Sequence, residues 1–78
     1  MKKVIEILKE IRPEFDFTKS EDFIADGYID SFDLITFVAA LEKNYGIKIK
    51  GTEIDTENFC NLAAITGLLK GHGVTDEI

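Results

Sequence analysis

The sequence predicts an all-α fold: a small four-helix bundle of three longer helices and one short one, with a long loop between helices 1 and 2. Apolar residues recur at helical spacing in three separate segments, each bounded by a capping or breaking residue. The one run that alternates like a strand, "IKIK" at 47–50, has no partner run and reads as an extended connection. A chain of 78 residues, 45% apolar, holds one core and therefore one domain, residues 1–78.

Val4, Ile7, Leu8 and Ile11 keep the i, i+3, i+4, i+7 spacing of one helical face. Pro13 ends this first helix near Arg12, because the residue before a proline is pushed out of the α region. Residues 13–30 form a connection longer than the ~12–15 residues usual in a compact domain, so it is expected to be functional or to carry hidden structure. Within it "TKSE" offers a capping box of Thr18 with Glu21 and predicts a helical turn near 19–24. Phe15, Phe17, Phe23 and Ile24 are expected to pin the loop onto the core.

The second helix is expected from Ser31 to Tyr45, with Leu34, Val38, Leu41 and Tyr45 as its buried seam and Phe37 and Ile35 flanking it. Gly46 ends it by taking a positive φ. "DTENF" makes a brief third turn capped by Asp55, and Asn61 caps a last helix whose Leu62, Ile65, Leu68 and Leu69 face inward. Gly71 and Gly73 close that helix and leave 72–78 as a flexible polar tail.

The net charge of −6 is concentrated in residues 13–33, where seven acidic groups face Lys19 alone. Nucleic acid needs a cationic footprint and is a poor partner; a basic protein surface is a good one. A single cysteine excludes an internal disulfide, and Cys60, among apolar neighbours, reads as a buried thiol. Zinc lacks ligands, since His72 is the only histidine. The start "MKKVIEILKEI" is interrupted by Glu6, Lys9 and Glu10, and no segment reaches the ~18 apolar residues of a membrane span. The expectation is a reduced cytoplasmic monomer without metal or membrane insertion.

The junction "DGYIDSFDLITF", Asp26 to Phe37, places Ser31 where the loop meets the second helix. A serine there is commonly the N-cap. Were Ser31 the cap, Leu34 would stand at N3 with no hydrogen bond to return. With Asp30 as the cap, Asp33 takes N3, the acid suits the helix dipole, and Ser31 at N1 keeps a free hydroxyl. Spacing leaves both registers open. No histidine or lysine lies near Ser31 to activate it, so no hydrolase dyad is formed, and no catalytic residue is assigned. An EF-hand fails because Ala25, Gly27 and Ile29 occupy places that require oxygen ligands. At ~100° per residue the outer side of the helix carries Phe32, Asp33, Thr36, Ala39, Ala40 and Lys43. That strip either folds back onto the loop or docks a partner, with Phe32 as anchor.

Gly27, Asp30, Ser31 and Phe32 resemble the Gly-x-x-Asp-Ser-(Leu/Phe) motif of acyl and peptidyl carrier proteins. The aromatic-Gly-Ile-x-Ile turn at Tyr45 to Ile49, and "ENFCNLAAI" at 57–65, agree with the same family, so the resemblance spans essentially the whole chain. It implies that Ser31 is the attachment point for 4′-phosphopantetheine, taken covalently from coenzyme A by a Mg²⁺-dependent phosphopantetheinyl transferase. The arm's thiol then carries an acyl or aminoacyl group as a thioester between partner enzymes of fatty acid, lipid, polyketide or aminoacyl-transfer biosynthesis. Those partners are a loading ligase and a downstream acyltransferase or synthase with basic docking patches. They are expected to meet Asp26, Asp30, Phe32, Asp33, Thr36 and Ala39. Thr36, Lys43 and Asn44 make the second helix less acidic than in fatty-acid carriers, and Lys50-Gly51 stands where a proline is common. A dedicated aminoacyl carrier, for example for D-alanine, is the alternative, as is an unmodified interaction module of the same fold.

Overall fold

The computed structural model describes residues 2–75 and 78. Four helices surround one core: α1 (Lys2–Ile11), α2 (Ser31–Tyr45), α3 (Thr56–Phe59) and α4 (Leu62–Gly71). Two single 3-10 turns, Phe17–Lys19 and Gly51–Glu53, lie in the connections, and the described residues contain no strand. The all-α expectation of three longer helices, one short helix and a long first loop therefore holds.

Helices α2, α3 and α4 each start where a side chain can take up unpaired backbone N–H groups. Asp55 accepts from the Asn58 N–H to open α3, and Asn61 accepts from the Ala64 N–H to open α4. Gly46 closes α2 at φ 62°, a left-handed conformation that would strain any side chain bearing a Cβ. The core contains Val4, Ile7 and Leu8 from α1, Phe37, Val38 and Leu41 from α2, Phe59 from α3, and Ile65 and Leu69 from α4. Phe37 and Phe59 meet edge to face, with ring centres 6.1 Å apart.

The 13–30 connection is built rather than loose. Its 3-10 turn lies at 17–19, ahead of a second turn at 22–26 that overlaps the one expected near 19–24, and the cap of the first is Asp16, which accepts from the Thr18 N–H and hydroxyl. Thr18 is thereby committed to Asp16, so the expected Thr18–Glu21 box is not formed. Asp22 caps the following turn by accepting from the Ile24 and Ala25 N–H groups. At Gly27, φ 76°, the chain reverses so that the Tyr28 and Ile29 N–H groups both reach the Phe23 carbonyl. Phe17 and Phe23 are fully buried, Phe15 stacks on Tyr28 at 4.4 Å, and the Phe23 N–H donates to the Cys60 carbonyl. Phe15 and Ile24 pack against the core from its edge, so all four loop anchors serve as expected.

Several side-chain placements differ from the sequence expectation. Ile35 does not flank the buried seam but is 64% exposed, while Ala40, expected outside, packs against the core. Cys60 is half-buried rather than buried. Described residues of the 72–78 stretch make contact with the body of the fold: His72 bonds Glu53 at 2.7 Å, Val74 and Ile78 are buried, and the Val4 N–H donates to the Ile78 carbonyl. Asp76 and Glu77 lie outside the described residues.

Removing the Phe59 ring from a fully packed site should cost about 3–5 kcal/mol, comparable to the whole stability of a domain this small. Phe59→Ala is expected to be largely unfolded at room temperature by circular dichroism. Ile35→Ala should shift the urea midpoint by less than about 0.5 kcal/mol equivalent, as an exposed substitution does.

Candidate functional site at the start of helix α2

Loop, α1 and α2 converge at Ser31. Asp30 is the N-cap: its Oδ1 accepts from the Asp33 N–H at 2.9 Å. Asp33 answers at N3, its Oδ2 accepting from the Asp30 N–H at 3.2 Å. Of the two registers the sequence left open, the structure takes the one capped by Asp30. Ser31 stands exposed at the first helical position, and its hydroxyl has no hydrogen-bond partner among the described residues.

A cation completes the junction. Arg12, one residue past α1, donates through Nε to Asp33 Oδ2 at 2.7 Å and through Nη2 to Asp30 Oδ2 at 3.4 Å. The Asp33 hydrogen bond and charge hold the guanidinium above its ordinary pKa, with smaller contributions from Asp30 and Glu14. Asp30 titrates below the usual carboxylate range, first because the Asp33 N–H stabilises its anion and second because Arg12 is close. Sequence reasoning missed Arg12, because nothing local links it to residues 18 and 21 positions away.

Beside Ser31 opens a cleft of about 340 Å³. Arg12, Asp30 and Ser31 form its polar rim, Ile24, Ile29 and Leu34 its apolar wall, and Thr56 of α3 lines it as well. A larger and more open groove lies elsewhere, between 48–58 and α4, and contains the Glu53–His72 pair. His72, the only histidine, lines that groove and not the Ser31 cleft. Among the described residues no three His, Cys, Asp or Glu side chains gather as a metal site, and no helix is long and apolar enough to cross a membrane.

The residues expected to meet partners divide into two groups. Phe32 (82% exposed), Thr36 and Ala39 line the outside of α2, and Ile35 joins them, giving the helical series 32, 35, 36, 39. Asp33 does not belong to this face: its side chain is 16% exposed and turned to Arg12 and the Asp30 N–H. Asp30 is exposed yet committed to the cap, and Asp26 accepts a hydrogen bond from the Ser20 hydroxyl at 2.6 Å.

A carboxylate whose folded pKa is depressed adds stability that is complete above its unfolded pKa, about 3.9 for Asp, and lost as pH falls through the folded value. Asp30, Asp16 and Glu53 are all shifted this way. The melting temperature should therefore fall as pH drops from about 5 towards 3. Asp30→Asn keeps a capping oxygen but removes the charge. Its melting-temperature deficit relative to wild type should be greatest at neutral pH and shrink below about pH 4; a deficit independent of pH would contradict the assignment.

Comparison with curated proteins and with solved structures finds no match. Comparison with protein families finds one, described as the phosphopantetheine attachment site, over residues 2–69. Domains of this family are carriers rather than catalysts, and they work with phosphopantetheinyl transferases and with synthases or ligases. The matched span runs from the start of α1 nearly to the end of α4 and includes the whole Ser31 junction. The chain belongs to the phosphopantetheine attachment family, whose members bear 4′-phosphopantetheine as a covalent cofactor.

Proposed function

We propose that Ser31 is the residue that receives 4′-phosphopantetheine, and that the protein carries acyl or aminoacyl cargo between enzymes as a cytoplasmic monomer. The observation that carries this reading is the free Ser31 hydroxyl at the first position of α2, in a chain of this family. An exposed oxygen there can be reached by another protein's active site. The N-terminal end of the α2 dipole favours the negative charge of a phosphodiester beside it.

In the transfer, the Ser31 oxygen attacks the phosphorus of coenzyme A nearest the pantetheine arm. A new P–O bond forms, the diphosphate P–O bond breaks, and adenosine bisphosphate leaves. The hydroxyl proton passes to a base that the transferase supplies, since none is bonded to Ser31. The attached arm supplies a terminal thiol that holds cargo as a thioester.

The docking face in this reading is the exposed strip of Phe32, Ile35, Thr36 and Ala39. Two large apolar side chains one helical turn apart supply the anchor, and the small Ala39 permits close approach. Asp26 contributes charge at its margin, and the acidic 13–33 region favours partners with basic patches. Fatty acid, lipid, polyketide and dedicated aminoacyl pathways all use this chemistry; the ligase that loads the arm selects among them.

Incubation with coenzyme A and a broad-specificity phosphopantetheinyl transferase should add one phosphopantetheine group, read by intact-protein mass spectrometry. Ser31→Ala should abolish the adduct while its circular dichroism stays helical. Absence of an adduct on wild type with several transferases would leave the unmodified interaction module instead. Phe32→Ala and Ile35→Ala should each lower kcat/KM for modification by roughly tenfold or more, as loss of an interface anchor does, with little change in melting temperature.

A further inference from the structure

We infer that Arg12 is a positioning residue for the modification of Ser31: it locks the Asp30–Asp33 capping box and so keeps the Ser31 hydroxyl off the backbone. The inference rests on the reading of Ser31 as the modified residue, and its test is arranged so that the two fail separately.

Asp30 and Ser31 are consecutive residues that cap helices almost equally well. Little intrinsic preference therefore holds the cap at Asp30. In the competing frame Ser31 is the cap, and its oxygen accepts from the N–H three residues on, that of Leu34. A hydroxyl so engaged is turned into the first turn and away from a partner's active site. The frame is thus a condition for the proposed use of Ser31, and it is poised between two near-equal alternatives.

The bonds around Arg12 break that near-tie. Asp33 Oδ2 accepts from both the Asp30 N–H and Arg12 Nε, while Arg12 Nη2 reaches Asp30 Oδ2. One guanidinium therefore touches both partners of the reciprocal cap. Without it, two carboxylates three residues apart would repel each other across the box. The frame capped by Ser31 carries no such cost at its own cap, because Leu34 occupies N3. Pro13 adds rigidity to the source of the charge: its ring restricts the backbone of Arg12, so the guanidinium is delivered from a fixed point past α1. A lysine would supply the charge without the planar fork that addresses two carboxylates.

The test measures kcat/KM for modification of the full chain by a broad-specificity phosphopantetheinyl transferase with coenzyme A. The variants are Arg12→Gln, Asp30→Ala and the pair combined, and thermal melts define an assay temperature at which each is folded. Arg12→Gln should lower kcat/KM about tenfold, as when the competent frame falls to about a tenth of the population. Asp30→Ala, which deletes the competent cap outright, should lower it at least as far. The double variant should be no worse than Asp30→Ala alone, because Arg12 acts through that cap. In Arg12→Gln the Leu34 amide proton and Ser31 Cβ resonances should move towards their positions in Asp30→Ala. Should Arg12→Gln not fold, Arg12→Lys replaces it in the same cycle, with a loss of about threefold expected. Wild-type rates in a folded Arg12 variant, or losses that simply multiply in the double variant, would overturn the role of Arg12. Failure of wild type to take any adduct would instead overturn the reading of Ser31.

Discussion

The reciprocal bonds between Asp30 and Asp33 at the head of α2 are the constraint on which the arrangement of this molecule turns. They end the first connection, start the longest helix and decide which of two adjacent hydroxyl- and carboxylate-bearing residues is consumed by the backbone. Because Asp30 is consumed, Ser31 is not. Because Asp33 answers from N3, its charge turns inward and the outer face of α2 begins with Phe32. A salt bridge from the far end of α1 bears on the same pair, so the packing of α1 against α2 and the chemistry available at Ser31 are joined at one guanidinium.

The first connection supports that junction from below. A chain segment of this length ordinarily carries a large conformational entropy cost. Here the cost is offset by two fully buried phenylalanines and by a series of local side-chain bonds from Asp16, Ser20 and Asp22. Ser20 illustrates how tightly this is arranged: it is buried, its oxygen accepts from the Asp22 N–H, and its proton goes to Asp26. The loop is also tied to the other half of the fold, through the Phe23 N–H to the Cys60 carbonyl and the Asn61 amide to the Glu21 carbonyl. The segment before Ser31 and the joint between α3 and α4 therefore position one another.

What was legible in the sequence was mostly local. The bounds of α2, the caps at Asp55 and Asn61, and the left-handed Gly46 each follow from residues within four positions of one another, while the cap of α2 was narrowed only to Asp30 or Ser31. The family resemblance rested on the same short-range order and extended over most of the chain. Two kinds of feature were not legible. Arg12 meets Asp33 across 21 positions, and no periodicity signals such a pair. The orientation of α2 was ambiguous because apolar residues surround much of it: Phe32, Leu34, Ile35, Phe37 and Val38 cannot all be buried by one neighbour. Packing against the loop and α1 chose Leu34 for the core edge and left Ile35 in solvent. The Thr18–Glu21 box failed for a related reason, since Asp16 two places earlier competed for Thr18 and won.

The acidity of residues 13–33 has a structural role at short range and, in the proposed reading, a second role at longer range. Asp16, Asp22, Asp26, Asp30 and Asp33 all accept hydrogen bonds within the fold, so each has a structural reason to be where it is. Most of their donors are backbone N–H groups or hydroxyls, which orient a carboxylate without cancelling its charge. Lys9, Arg12 and Lys19 are nearby cations, against seven acidic groups. A negative field consequently survives around Ser31 even though few of its sources are free to form specific contacts. Such a field acts over about a Debye length, ~10 Å at ordinary ionic strength, and speeds encounter with a basic surface without selecting among basic surfaces. In the proposed reading, selection then falls to the short-range features of the same helix: the shape of Phe32 and Ile35, and a serine oxygen that the backbone has left unused.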